Sequence, residues 1–293
     1  MKKKNLKTLA ACLCLSCTLL TGTLPTQAAA RTSVSQTAKS SSTVTNKKTH
    51  SGKGQASSSS SGTWKTIKGH HYYYNARGKK VKGKVKIGSR YYFFDKNGIQ
   101  RYGWKKIKNN YYFFRISTGT TGAYMLTSTT INGIALDASG RASKSGSNLR
   151  KLKLMTEANK IVEKISRPGM NKMQRLRASF DYVKKQYTYY CWREFRNTQD
   201  WEKDFAEDMF FRGGRGDCVS YAAAFAYLAN AVGMKKVYVI CSGGHGWAEI
   251  GGKVYDPDWA LVSSVDSLLC NVLRSSMGVE TAAPMYRWQP PFM

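Results

Sequence analysis

From Trp64 onward, short apolar and aromatic runs alternate with polar turns, and the alternation is periodic. Ile67, Ile87 and Ile107 recur every 20 residues, as do Gly78 and Gly98, and Gly83 and Gly103. Between them lie Tyr72-Tyr-Tyr74, Tyr91-Tyr-Phe-Phe94 and Tyr111-Tyr-Phe-Phe114, with a weaker fourth copy from Ile131 to Gly140. Each unit reads as a hairpin: an apolar strand, a polar turn, an aromatic strand, then a glycine turn. One hairpin is only marginally stable in water, so the copies are expected to stack around a shared aromatic core. The expectation for residues 63–145 is therefore an all-β hairpin-repeat solenoid.

After a Gly/Ser/Lys joint at Ser139–Asn148, the period changes to that of helices. Leu152–Ile165 and Lys172–Gln186 predict two of them, separated by Arg167-Pro168-Gly169, and the second carries an apolar stripe of Met173, Leu176, Phe180 and Val183. The aromatic, acidic stretch Trp192–Phe211 is a candidate wall of a groove, equally readable as an amphipathic loop and helix. Val219–Val232 predicts a helix whose buried face includes Ala222, Phe225, Ala226 and Ala229. Val237–Cys241, Trp247–Ile250 and Lys253–Tyr255 read as strands, the last two joined at Gly251-Gly252. Residues 146–293 are thus expected to form an α+β domain, helices packed on an antiparallel sheet.

The N-terminal stretch has another character. A basic start (Lys2, Lys3, Lys4, Lys7), an apolar Leu9–Leu20 and Ala28-Ala29-Ala30 predict a secretory signal peptide over residues 1–30, too short for a membrane span. Leu15 and Cys14 ahead of Cys17 do not supply the small-residue context of a lipoprotein signal. Residues 31–62 are half Ser and Thr, with Val34 and Val44 as the larger apolar side chains, a composition expected to be disordered. Removing the four signal-peptide lysines lowers the formal charge from +30 to +26. Residues 63–145 hold 17 Lys and Arg against two acids, and residues 146–293 hold 21 against 15, so the basicity sits on the repeats. Such a surface attracts polyanions; with an export signal, wall polymers such as teichoic acids or anionic glycans are expected, rather than nucleic acid.

Four cysteines remain after the signal peptide, Cys191, Cys218, Cys241 and Cys270. With Cys218 reserved for chemistry, at most one disulfide forms among the other three. No spacing suits zinc, and neither a metal nor a cofactor is expected. Cys218 lies where the Gly-rich run Arg212–Gly216 opens a helix, a position whose dipole lowers a thiol pKa. His245 and Asp256 follow on predicted strands, giving thiol, imidazole and carboxylate in chain order. Glu249 and Asp258 are read as surface salt-bridge partners, and Trp247 and Trp259 as packing around this set.

The runs GDCVSYAAAFAYLANAVG, HGWAEI and YDPDW resemble the core of the transglutaminase-like superfamily of cysteine enzymes, over roughly Met170–Trp259. The resemblance implies Cys218 as nucleophile, His245 as general base and acid, and Asp256 as the orienting carboxylate. It also implies a thioester resolved by water, giving a peptidase or amidase on protein or peptidoglycan peptides, or by an amine, giving a crosslinking acyl transferase. A wall-binding adhesin without activity is the non-enzymatic reading. The 20-residue repeats resemble the cell-wall-binding modules of Gram-positive surface proteins, related to choline- and glucan-binding repeats. That resemblance implies wall-ligand contacts at Trp64, Tyr73, Tyr92, Trp104 and Tyr112, and a secreted, wall-associated protein. The middle copy departs from it, lacking a Trp at the entry position that Trp64 and Trp104 occupy, which weighs against choline because a cation cage needs several rings.

Overall fold

A computed structural model describes residues 62–263 except Thr118 and Gly243, together with the backbone of Tyr286–Trp288. The expected signal peptide, the Ser/Thr-rich tail and Cys270 lie outside the described residues.

The repeats are antiparallel hairpins. β1 (Thr63–Ile67) pairs with β2 (His70–Tyr74), and β3 (Gly83–Ile87) with β4 (Arg90–Phe94), which also takes β5 (Gln100–Arg101). β6 (Gly103–Ile107) pairs with β7 (Asn110–Phe114), and β8 (Thr129–Ile131) with β9 (Ile134–Leu136), the weaker fourth copy. These are separate sheets of two or three strands, and no continuous ladder joins them. Their cores are nevertheless chained, because successive side chains of a strand face opposite sides. Tyr92 and Phe94 of β4 pack with Tyr73 and Trp64, while Tyr91 and Phe93 pack with Tyr112 and Phe114 of β7. The other face of β7, Tyr111 and Phe113, joins the main core of the helical half. An unbroken aromatic run is what a strand buried on both faces requires.

Helices α1 (Asn148–Ile165), α2 (Lys172–Gln186) and α3 (Trp201–Phe210) surround α4 (Cys218–Val232). A capping box between Asn171 and Gln174 starts α2, where the sequence places its boundary. Leu176, Phe180 and Val183 of its stripe are buried; Met173, in the first turn, is exposed instead. Two-residue strands β10 (Thr188–Tyr189) and β11 (Arg215–Gly216) pair in parallel just before α4. The sheet has the order β14 (Lys253–Tyr255), β13 (Gly246–Ile250), β12 (Val237–Cys241), β15 (Tyr286–Trp288), all antiparallel, with the short α5 (Trp259–Val262) after β14. Every residue from Val219 to Val232 is buried, and α4 ends at Gly233 in the left-handed region at φ 92°.

The third hairpin is fused to the helical half. A Cβ on Gly103 would lie 1.7 Å from Asn159 Oδ1 of α1, so only glycine allows β6 to dock there. Beside it, the buried Trp104 donates Nε1–H to Asn132 Oδ1 at 3.0 Å, and the buried Lys105 donates to Glu163 at 2.6 Å.

One buried acid stands apart. Both carboxyl oxygens of Glu202, in the first turn of α3, are buried without a hydrogen-bond partner among the described residues. Burial pushes its pKa up to about 7, against the opposing pull of Lys203, which is itself held by Asp200 at 2.6 Å. The folded state therefore binds this proton more tightly than the unfolded chain, and stability falls as pH rises from about 4.3 toward 7. Glu202→Gln is expected to flatten that fall, with a gain on the order of 3 kcal/mol at pH 8 and little change at pH 4. Urea unfolding at the two pH values measures it, and a parallel shift at both would refute the assignment.

Candidate active site

The site forms where the start of α4 meets β13. Asp217, the N-cap, accepts from Ser220 N at 2.9 Å and from Ser220 Oγ at 3.2 Å, which leaves Cys218 as the first helical residue. Two glycines make the approach possible. A Cβ on Gly216 would lie 2.3 Å from Ser220 Cβ, and one on Gly246 would lie 2.8 Å from Val219 Cα. The glycines of the GDC and HGW runs are thus places where strand and helix touch. The Gly246 N–H, next to His245, acts on Cys218 by opposing the rise of its thiol pKa.

His245 precedes β13, and its carbonyl accepts from Ser242 N at 2.9 Å and Ser242 Oγ at 3.1 Å, closing the turn from β12. Its Nε2 is 2.5 Å from Asp256 Oδ2. Asp256 is 1% exposed, and its other oxygen accepts from Trp259 N at 2.9 Å, so the start of α5 fixes the carboxylate's orientation. A neutral imidazole donating from Nε2 keeps Nδ1 as its proton acceptor. Trp247 is buried with Ile240 and Val254, Trp259 packs against that cluster, and the Trp247 ring lies 6.2 Å from the imidazole.

The electrostatics differ from the expectation drawn from helix position. Burial pushes the Cys218 thiol well above the ordinary range, and the Asp217 and Asp258 carboxylates push it further, with the Gly246 N–H opposing. The helix terminus does not win, because desolvation acts on the whole thiolate charge while the dipole offers about half a charge. For His245, burial disfavours the imidazolium, but the hydrogen bond and charge of Asp256, with Asp258 and Asp217 adding, outweigh it and raise the pKa. Asp258 is pushed up to about 7 by burial and by Asp256, with His245 opposing. Asp258 is half-buried and Glu249 only 6% exposed, so neither is the surface acid expected from the sequence.

Beside the site, Tyr190 N donates to Gly216 O at 2.9 Å and Tyr221 Oη to Tyr187 O at 2.9 Å, holding Tyr187–Tyr190 along the approach to α4. Tyr189, Tyr190 and Trp192 leave 43%, 55% and 50% of their surface exposed. Cys191, Cys218 and Cys241 are not bonded to one another. Among the described residues no cluster of His, Cys, Asp and Glu is arranged to hold a metal. None of their helices is long and apolar enough to cross a membrane.

The five residues singled out for wall ligands divide. Trp104 is 1% exposed in the main core, and Tyr73, Tyr92 and Tyr112 are 7%, 4% and 6% exposed; Trp64 is partly buried against Tyr73 and Tyr92. Several repeat rings carry a cation of the chain itself. Lys80 Nζ lies 3.9 Å from the Tyr72 ring centre, Lys84 Nζ 4.3 Å from that of Tyr112 and 5.2 Å from that of Tyr91, and the Arg90 guanidinium 4.0 Å from that of Tyr124.

Sequence reasoning gave Asp217 no role at the site and read Asp258, an acid close to it, as a surface salt-bridge partner. The first is legible as an aspartate at a helix start; the second has the weaker signal of standing two residues from Asp256.

Residues 159–264 match the family model of the transglutaminase-like superfamily, and residues 60–98 match that of the choline-binding repeat. No curated protein matches the chain. Among solved structures, the choline-binding domain of Spr1274 from Streptococcus pneumoniae is 22% identical, over 30% of this chain and 99% of that one, with a TM-score of 0.24. CbpJ from Streptococcus pneumoniae TIGR4 is 22% identical over 27% of this chain and 26% of its own, with a TM-score of 0.24. The Cpl-1 endolysin of phage Cp-1, complexed with a peptidoglycan analogue, is 23% identical over 31% and 27%, with a TM-score of 0.25. The chain spans about a quarter of the length of CbpJ. This chain thus carries a transglutaminase-like superfamily domain over residues 159–264, preceded by a choline-binding repeat over residues 60–98.

Proposed function

We propose that the protein is a secreted, cell-wall-associated cysteine hydrolase, a peptidase or amidase whose hairpins stack as a short solenoid on the wall. The observation that carries the enzymatic reading is the 2.5 Å contact of His245 Nε2 with Asp256 Oδ2, beside the close approach of Gly246 to Val219 that brings β13 against the start of α4. Cys218 Sγ attacks the carbonyl carbon of a peptide amide while the thiol proton passes to His245. His245 then protonates the leaving nitrogen, the C–N bond breaks, and a thioester remains. Water, deprotonated by His245, releases the acid and restores the thiol. The Cys218 N–H, the first of α4 and outside its hydrogen-bond ladder, is one donor for the oxyanion. Because burial keeps the resting thiol protonated, the nucleophile forms only together with the imidazolium. Asp256, by raising the basicity of His245, makes that transfer possible.

Cys218→Ala is expected to abolish release of amine from peptide and muropeptide amides, and Asp256→Asn to lower turnover by up to about four orders of magnitude. Full activity in Cys218→Ala would sink the mechanism. If a labelled amine is incorporated faster than product acid appears, the reaction is acyl transfer instead.

Asp258 bears on the same site through its charge. Asp258→Asn should move the iodoacetamide reactivity of Cys218 to lower pH, since a carboxylate that raises the thiol is gone. The wild-type profile should rise above the free-thiol value of about 8.5. Site-resolved mass spectrometry reads both profiles, and superimposable curves would count against this electrostatic coupling.

For the repeats, the choline-binding family match and the cation-bearing tyrosines support binding of a quaternary ammonium group at Tyr91 and Tyr112, where Lys84 now lies. Lys84→Met is expected to tighten choline binding several-fold by removing a competing cation. Calorimetry on the full chain tests it; unchanged or weaker binding would mean that these rings serve only the fold.

A further inference from the structure

A cleft of about 420 Å³ opens between the first hairpins and the α1–α2 turn, and it shares no lining residue with the Cys218 site. His70 lines one side, and Ser166, Arg167 and Arg175 line the other. The two sides are locked together at Gly69, whose Cβ, if present, would lie 2.7 Å from Pro168 Cβ.

Two donors in this cleft are unspent. Arg175 Nε and Ser166 Oγ are buried, and neither has a hydrogen-bond partner among the described residues. Among the described residues the Arg175 side chain is partnered by Tyr102, which accepts from Nη1 and offers no negative charge. Nearby carboxylates are already matched, Glu163 by Lys105 at 2.6 Å and Asp95 by Arg101 at 2.7 Å. A buried donor left unsatisfied is costly, so two of them lining one cleft leave a demand for an acceptor. Asn171, the N-cap of the 15-residue α2, also lines the cleft, so the positive end of that helix opens on the same space.

We propose that this cleft binds a phosphate group, with Arg175 and Ser166 at its floor and Arg167 at its mouth. Donors come from the end of α1, the start of α2 and the turn between them. A tetrahedral anion with several acceptor oxygens meets that set better than a planar carboxylate with two, and arginine suits it because its fork holds two oxygens at once. The site stands independently of the proposed wall association. Only the further assignment, that the phosphate belongs to a polyanionic wall polymer, rests on that reading.

The test is calorimetric titration of the full chain at fixed ionic strength with inorganic phosphate, with a glycerol phosphate oligomer and with acetate. Wild type should bind phosphate saturably. Arg175→Gln should weaken it by roughly tenfold or more, equivalent to about 1.4 kcal/mol, and Ser166→Ala several-fold. Lys86→Gln, a basic repeat residue outside the cleft, should leave it unchanged. Tighter binding of the oligomer would support a polymer ligand, and equal binding would support free phosphate. The proposal is overturned if phosphate does not saturate, if acetate binds as well, or if Lys86→Gln weakens binding as much as Arg175→Gln. Should Arg175→Gln fail to fold, an unaltered affinity in Ser166→Ala overturns it equally.

Discussion

The helical half depends on one helix that has no solvent face. From Val219 to Val232 every side chain of α4 is buried, and α1, α2, α3, β12 and β13 all pack on it. Five neighbours approach one cylinder closely only where side chains are small, which is why alanines occupy so much of it. Such a helix can meet a substrate only at an end. Asp217 caps that end, two close-packed glycines bring β13 against it, and Cys218 sits at the point left open. The burial that positions the thiol also suppresses its ionisation, an opposition that the proposed proton transfer to His245 would relieve.

The aromatic hairpins are continuous with this core. β7 is the joint: Tyr112 and Phe114 face the repeats, while Tyr111 and Phe113 face the helices. The glycine that recurs every 20 residues has two uses. At Gly83 it supplies a positive φ in open space, whereas at Gly103 the same backbone conformation coincides with direct contact on α1.

Much of this was legible in the sequence because periodicity reports local burial. The boundaries of α2, the strands β12 and β14, and the order of thiol, imidazole and carboxylate all follow from residue spacing. Other features depend on what packs from elsewhere in the chain. Trp104 occupies the same repeat position as Trp64, yet its neighbour is Asn132 and the helical core rather than another hairpin. Met173 keeps the spacing of a buried stripe but sits in the first turn of α2, beyond the reach of the core. The raised thiol of Cys218 and the buried carboxyl of Glu202 are likewise set by desolvation, which no spacing encodes.

The docking of Gly103 on Asn159 has a consequence for how the protein works on a surface. A catalytic domain hung on a flexible linker samples a sphere around its anchor and meets substrate at an effective concentration set by linker length. Here the third hairpin is part of the fold that holds Cys218, so on the proposed reading anchor and nucleophile would keep a fixed distance and bearing. An enzyme built this way has a reach rather than a search volume. Once its repeats are seated, it acts only on bonds that the architecture of the surface presents at that one offset, and selectivity becomes a matter of where the bond lies as much as of what it is.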